Sequence, residues 1–325
     1  MVLSLLVTSL GVILVCVEAI NYPGGWLPND RQCVDICTHA SSSPTCPTQD
    51  PSCLAKKQRP GDYDFLVLEQ LFLPQFCRAL LAGVDLTLSH RNVNKYPRGI
   101  VCDPSKAVSK LTIHGLWPNY NNGFPACCNV SDTIHNEPLD PLSYAVESAE
   151  LLREMNDVWV DPTQPSSFRT LCELYNHEFQ KHGLCYAANG RKDFDVSARE
   201  YFRATIHAAA VYKEATVTIN LWAAASNPKT TVAAITALYQ TRVQILCSAV
   251  ESIGGESENS FAAIHVCFSK PANASAALTP IDCNDPSPTA VFVPCSSAIP
   301  VTLTKYIPPP PVALSAVTSE LYTFM

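Results

Sequence analysis

Residues 175–185 read YNHEFQKHGLC and place four ionisable side chains, His177, Glu178, Lys181 and His182, within six residues. Imidazoles titrate near neutrality and can give or take a proton there. An ammonium beside them can stabilise negative charge developing on a substrate. If the segment is helical, each residue advances about 100°. Phe168, Leu171, Cys172, Tyr175 and Phe179 then form an apolar stripe. Glu178 and His182 border that stripe, and His177 and Lys181 lie just outside it. Gly183 reads as the helix stop, and Pro162, Pro165 and Ser166 or Ser167 as start signals. The bland alternative is a solvated helix face with a Glu178–Lys181 pair. A zinc site is disfavoured. Metal-binding helices carry two His at i and i+4, whereas His177 and His182 are i and i+5 and diverge by roughly 140° on an α-helix. No metal is expected.

These residues need a scaffold. Tyr63 to Leu71 (YDFLVLEQL) reads as a strand, ended by Pro74. A polar connection over 80–96 leads to a second strand, Val108 to Ile113. There Leu111 and Ile113 face one way, Thr112 and His114 the other. Gly115 ends this strand, so His114 is expected at its exposed tip. Residues 118–141 read as a loop carrying Cys127 and Cys128. Helical periodicity follows over 143–159, 167–182, 197–212 and 231–250, then a closing strand over 261–268 and loop from Pro271. Strands and helices mix without strict alternation, which predicts an α+β fold.

The first nineteen residues are almost wholly apolar and read as a signal peptide cleaved after Ala19. Cleavage removes Cys16, and the fifteen cysteines become fourteen, an even set that reads as a disulfide framework of the secretory route. The predicted organisation is a leader (1–19), a Cys- and Pro-rich segment (20–60), a catalytic domain (61–300) and a disordered tail (301–325). No lasting membrane association is expected. Asn129 and Asn273 head glycosylation sequons and belong on the surface. The net charge of −7 excludes a basic field for nonspecific duplex binding.

Two segments together carry a resemblance. LTIHGLWPNY (residues 111–120) and HEFQKHGLC (residues 177–185) closely resemble, in order and separation, the HGLWP and HEW-x-KHG-x-C active-site blocks of the ribonuclease T2 family. YDFLVLEQLFLPQFC also resembles the family's first strand. Phe179 replaces the usual Trp, Gln180 a frequent Glu, Leu184 a frequent Thr and Leu73 the strand Trp. The resemblance covers roughly residues 63–295. It implies a ribonuclease T2-like fold: a central antiparallel sheet with packed helices, rich in disulfides. It also implies endonucleolytic cleavage of single-stranded RNA with no metal or cofactor. The 2′-hydroxyl attacks the adjacent phosphate, and a 2′,3′-cyclic phosphate forms before the 3′-phosphate. His182 would be the base and His114 the acid. Lys181 and His177 would supply fixed positive charge, and Glu178 would hold His182. Trp117 and Tyr120 would stack a base and Asn119 hydrogen-bond its edge. The family comparison also implies the disulfides Cys77–Cys102, Cys127 or Cys128 with Cys185, Cys247–Cys295 and Cys267–Cys283. The expected protein is a monomer, secreted or held in a vacuole- or lysosome-like lumen. Its rivals are a binding protein that keeps the fold but works through its surface, and a zinc hydrolase.

Overall fold

The computed structural model describes residues 26–310, apart from 28–31, 38–39, 42, 47–48, 91–92, 129–137, 165–170, 187–193, 250–258, 274–275 and 287. The expected leader, the helix start near Ser167 and the sequon at Asn129 lie outside the described residues; Asn273 is exposed.

The centre is an antiparallel sheet of β1 (Phe65–Phe72), β2 (Leu111–Asn119), β3 (Gln244–Ser248), β4 (Phe261–Ser269), β5 (Pro280–Ile281) and β6 (Phe292–Pro294). Its order is β2-β1-β4-β3-β6, with β5 beside β4. Alternation sets the two faces. Leu66, Leu68, Leu116, Ile264, Val266 and Phe268 enter the main core, and Leu71, Ala263 and Leu246 a second, smaller one. That smaller core is closed by α1 (Leu73–Leu81) through Phe76 and Leu80. Beyond it the same face stays open and carries Phe65, Val67 and Glu69.

Pro74 does not simply end the first strand; it sits in the first turn of α1, where a missing N–H costs no helical bond. The expected helix over 143–159 is divided into α2 (Pro141–Glu147) and α3 (Ala149–Val158). The central helix, α4, covers 171–186. It alternates π turns at Leu171–Tyr175 and Phe179–Gly183 with α-helical Asn176–Glu178 and Leu184–Tyr186. Helix α5 (Phe194–Val211) agrees with expectation, but α6 (Lys213–Ala224) was not anticipated. Its buried stripe is only Ala215, Ile219 and Ala223, too small a signal to read from periodicity. The expected helix over 231–250 is wrong beyond α7 (Val232–Thr236), because Ile245, Leu246 and Cys247 are buried in strand β3. A short apolar run does not distinguish strand from helix. Strand β4 lies in the middle of the sheet rather than closing it.

Seven disulfides join the fourteen cysteines after Cys16. Cys77–Cys102, Cys247–Cys295 and Cys267–Cys283 are present, and Cys128 rather than Cys127 bonds Cys185. Cys127 instead bonds Cys37, and Cys33 bonds Cys172 within α4. The Cys-rich segment is thus strapped to the outer side of α4. Gln180 accepts from Ile36 N (3.1 Å) and donates to Asp35 Oδ1 (3.1 Å), a pairing of acceptor and donor that a glutamate could not make. The tail prediction fails at its start. Val301–Thr302 pairs with Lys229–Thr230, Leu303 is buried, and Thr304 donates to Gln75.

Gly183 does not stop α4 but lets it approach α5: a Cβ there would lie 2.8 Å from the Tyr201 ring. Gly183→Ala should therefore lower stability by about 1–3 kcal/mol, read as a shifted urea midpoint at unchanged slope.

Candidate active site

His114 is not at a strand tip. Strand β2 continues through Gly115 to Asn119, and His114 lies inside it, buried. The β1–β2 register steps from Gln70↔Ile113 to Glu69↔Gly115. His114 is the extra residue of a β-bulge, a device that re-aims one side chain. Its carbonyl accepts from Trp159 Nε1 (2.9 Å), so the irregular backbone stays satisfied.

The bulge turns the imidazole onto two carboxylates. His114 Nδ1 lies 2.5 Å from Glu69 Oε1, and Nε2 lies 3.6 Å from Glu178 Oε1. Burial opposes charge on His114, but Glu69 first, and then Glu178 and Asp85, hold its pKa above the ordinary value. Glu178 also accepts from Trp117 Nε1 (2.9 Å). The expectation that Glu178 holds His182 is therefore corrected: both its oxygens turn to strand β2. Burial raises the Glu178 pKa, and His114, Trp117 and Lys181 oppose that rise.

Trp117 stands between the two catalytic candidates. Its ring centroid is 5.1 Å from that of His114 and 5.3 Å from that of His182. His182 lies in the second π turn, whose i→i+5 geometry invalidates the rotation assumed for an α-helix. Burial, with Lys181, His177 and His114 behind it, holds its pKa well below the ordinary value. Lys181, His182, Glu178, His114 and Trp117 all line one cleft of about 580 Å³.

His177 does not join them at the cleft wall. It is 3% exposed, and burial, followed by Lys181, holds its pKa well below the ordinary value, which opposes the positive charge expected of it. Tyr120 borders the same cleft but is only 2% exposed, with Lys56 5.0 Å over its ring, so it offers little open face for stacking. Trp117 and Asn119 are half-buried in the cleft; Asn119 Nδ2 donates to Trp117 O (3.0 Å).

Two cleft residues escaped the sequence reading, Glu69 and His265. They face each other across β1 and β4, and Gln244 faces His265 from β3. Glu69 Oε2 lies 2.6 Å from His265 Nε2, and Gln244 Oε1 lies 2.7 Å from His265 Nδ1. The available signal was a lone charged or imidazole residue inside each apolar strand, FLVLEQLF and FAAIHVCFS. Among the described residues, no group of three His, Cys, Asp or Glu is placed to hold a metal ion.

Residues 63–283 match the Ribonuclease T2 family. Ribonuclease DdI of Dictyostelium discoideum is 25% identical over 131 residues, 40% of this chain and 43% of its own. Extracellular ribonuclease LE of Solanum lycopersicum is 30% identical over 131 residues, 37% of this chain and 50% of its own. The chain thus spans half or less of the length of these curated relatives. Among solved structures, ribonuclease MC1 from bitter gourd seeds superposes with a TM-score of 0.46 at 20% identity, covering 71% of this chain and all of that one.

Gly115 is required where Glu178 meets the strand, since a Cβ would fall on both Glu178 Oε2 and Trp117 Nε1. Gly115→Ala should break that hydrogen bond and displace both side chains. A loss of about 10²-fold in kcat for any reaction performed in the cleft is expected, with the melting temperature recorded alongside.

Proposed function

The chain belongs to the ribonuclease T2 family, and from that premise we propose that it is an endoribonuclease that cleaves single-stranded RNA by transesterification without a metal ion. One observation carries this reading: His114, Glu178, Lys181 and His182 meet around Trp117 on the wall of a single cleft.

The two imidazoles suit opposite tasks. His182, held neutral by burial and by nearby cations, accepts the 2′-hydroxyl proton. The freed oxygen attacks phosphorus, and the Lys181 ammonium stabilises the charge gathered on the phosphate oxygens. His114, held charged by Glu69 and Glu178, gives its Nε2 proton to the leaving 5′ oxygen. Among the described residues that nitrogen makes no hydrogen bond, and Glu178 Oε1 at 3.6 Å is its charged neighbour. The products are a 2′,3′-cyclic phosphate and a 5′-hydroxyl. Reversing the two proton transfers, with water in place of the 5′ oxygen, yields the 3′-phosphate.

A cleft lined by Phe65, Trp117 and Phe292 offers faces for unstacked bases, which single-stranded RNA presents and a duplex does not. Stacking also explains how a chain of net charge −7 handles a polyanion. Seven disulfides and an exposed Asn273 support secretion with glycosylation. Relatives are named for both extracellular and intracellular locations, so an organellar lumen fits equally.

A defined single-stranded RNA, incubated with and without chelator, should give cyclic-phosphate and 5′-hydroxyl ends in both cases. His114→Ala and His182→Ala should abolish cleavage, and Lys181→Ala should slow it by about 10²–10³. Wild-type rates in either histidine variant, or silencing by chelator, would contradict the proposal.

The pH profile follows from the opposite shifts. Activity requires neutral His182 and charged His114. Thus kcat/KM should rise through a midpoint below the ordinary histidine value of about 6.5 and fall through one above it. A narrow bell centred on that value would reverse the assignment of opposed shifts.

A further inference from the structure

We propose that Glu69 and His265 form a charge-balanced positioning pair that sets how readily His114 gives up its proton. The proposal rests on the reading of His114 as a proton donor to RNA.

Hydrogen-bond directions carry the argument. Gln244 Nε2 donates to the carbonyl of Asn284 (2.9 Å), so its other amide atom, Oε1, is the one that faces His265. An oxygen there can only accept, so His265 Nδ1 must donate to it. On its other side His265 Nε2 faces a carboxylate oxygen of Glu69 at 2.6 Å, and it must donate there as well. An imidazole that donates from both nitrogens carries a proton on each and is a cation. Glu69, 2% exposed, thus lies between two imidazolium rings, one on each oxygen. A carboxylate so deep in a sheet requires such partners. Burial opposes its charge, yet His114 and His265 bring its pKa down to about 2.

The geometry assigns opposite effects to the two members. Glu69 accepts the Nδ1–H hydrogen bond of His114 and favours the protonated ring, which leaves Nε2 as the nitrogen that can donate to substrate. His265 occupies the second carboxylate oxygen and offsets part of the negative charge that His114 senses. Without Glu69 the imidazole would lose its proton too early; without His265 it would hold it too tightly to be an efficient acid. The other groups facing His114 are Glu178, His177 and His182 from α4 and Asp85 from the segment after α1. Those facing His265 are Glu69, Gln244 and the Trp117 ring at 6.3 Å. Neither Glu69 nor His265 needs to touch the reacting phosphate, so both are positioning residues.

The experiment compares Glu69→Gln and His265→Phe in the full chain. Two readouts are taken: the basic limb of kcat/KM on single-stranded RNA, and the His114 titration midpoint by proton NMR. Glu69→Gln should lower both by about one to three pH units, as expected for loss of an opposite charge in contact. His265→Phe should raise both and lower kcat. Displacement in opposite senses is something that general loosening of the site would not produce. Midpoints that stay within about 0.3 unit of wild type in both variants, or that move in the same direction, overturn the proposal. If Glu69→Gln does not fold, the sign of the shift in His265→Phe, a residue at the cleft wall, decides alone. The NMR midpoint separates the two levels of inference. Opposite shifts in a protein that does not cleave RNA would refute the enzymatic reading and leave the pairing intact. Cleavage abolished by His114→Ala but insensitive to these two variants would do the reverse.

Discussion

A carboxylate buried in strand β1 is the constraint from which the rest of the cleft follows. Glu69 sits where β1 is flanked on both sides, by β2 and by β4. At 2% exposure it has little solvent to stabilise its charge, and an unpaired carboxylate at that depth would be strongly destabilising. Each neighbouring strand therefore presents an imidazole to it. On the β4 side the regular register places His265 directly opposite. On the β2 side Glu69 pairs with Gly115, and the bulge turns the neighbouring, unpaired His114 onto its carboxylate. The strand irregularity and the buried charge are two parts of one arrangement.

The helix side is built with similar tolerance for close approach. Gly115 lets the Glu178 carboxylate reach the strand and take the Trp117 indole N–H. Gly183 lets α4 pass against Tyr201 of α5. Between these contacts the second π turn changes which residues stack along the helix and directs Lys181 and His182 to the cleft. The indole of Trp117 fills the space between the two histidine rings, so strand and helix are held at a separation set by one aromatic side chain.

The cysteine-rich segment acts on the far side of the same helix. Cys33 is bonded to Cys172 at the first π turn, and Cys37 to Cys127, whose N–H donates to Lys181 O. Cys128–Cys185 ties the end of α4 to the same loop. Two covalent links, through Cys172 and Cys185, and the Gln180 amide thus bear on one helix of sixteen residues, 171–186, and Cys37–Cys127 joins the two segments that hold it. Non-α turns are intrinsically weaker than α-helix, and cross-links that reduce the freedom of the unfolded chain stabilise them at a distance from the chemistry.

Local chemistry was open to reading from residue types alone. The clustering of His177, Glu178, Lys181 and His182, the second motif around His114, the even number of cysteines after Cys16 and the mixture of strand and helix periodicity are properties of neighbours in the chain. Such properties identify a site and a fold class because side-chain chemistry and hydrophobic period are set within a few residues. Register, helix type and depth are not local. Whether His114 ends a strand or bulges within it depended on Glu69, forty-five residues away. Whether His177 is a cation or a neutral core imidazole depended on what buries it. The partners of Glu178, the core position of Tyr120 and the place of His265 beside Glu69 were likewise decided only when separate strands met. Charge states and hydrogen-bond partners in a packed interior are set by groups distant in sequence, and only the tertiary structure brings those together.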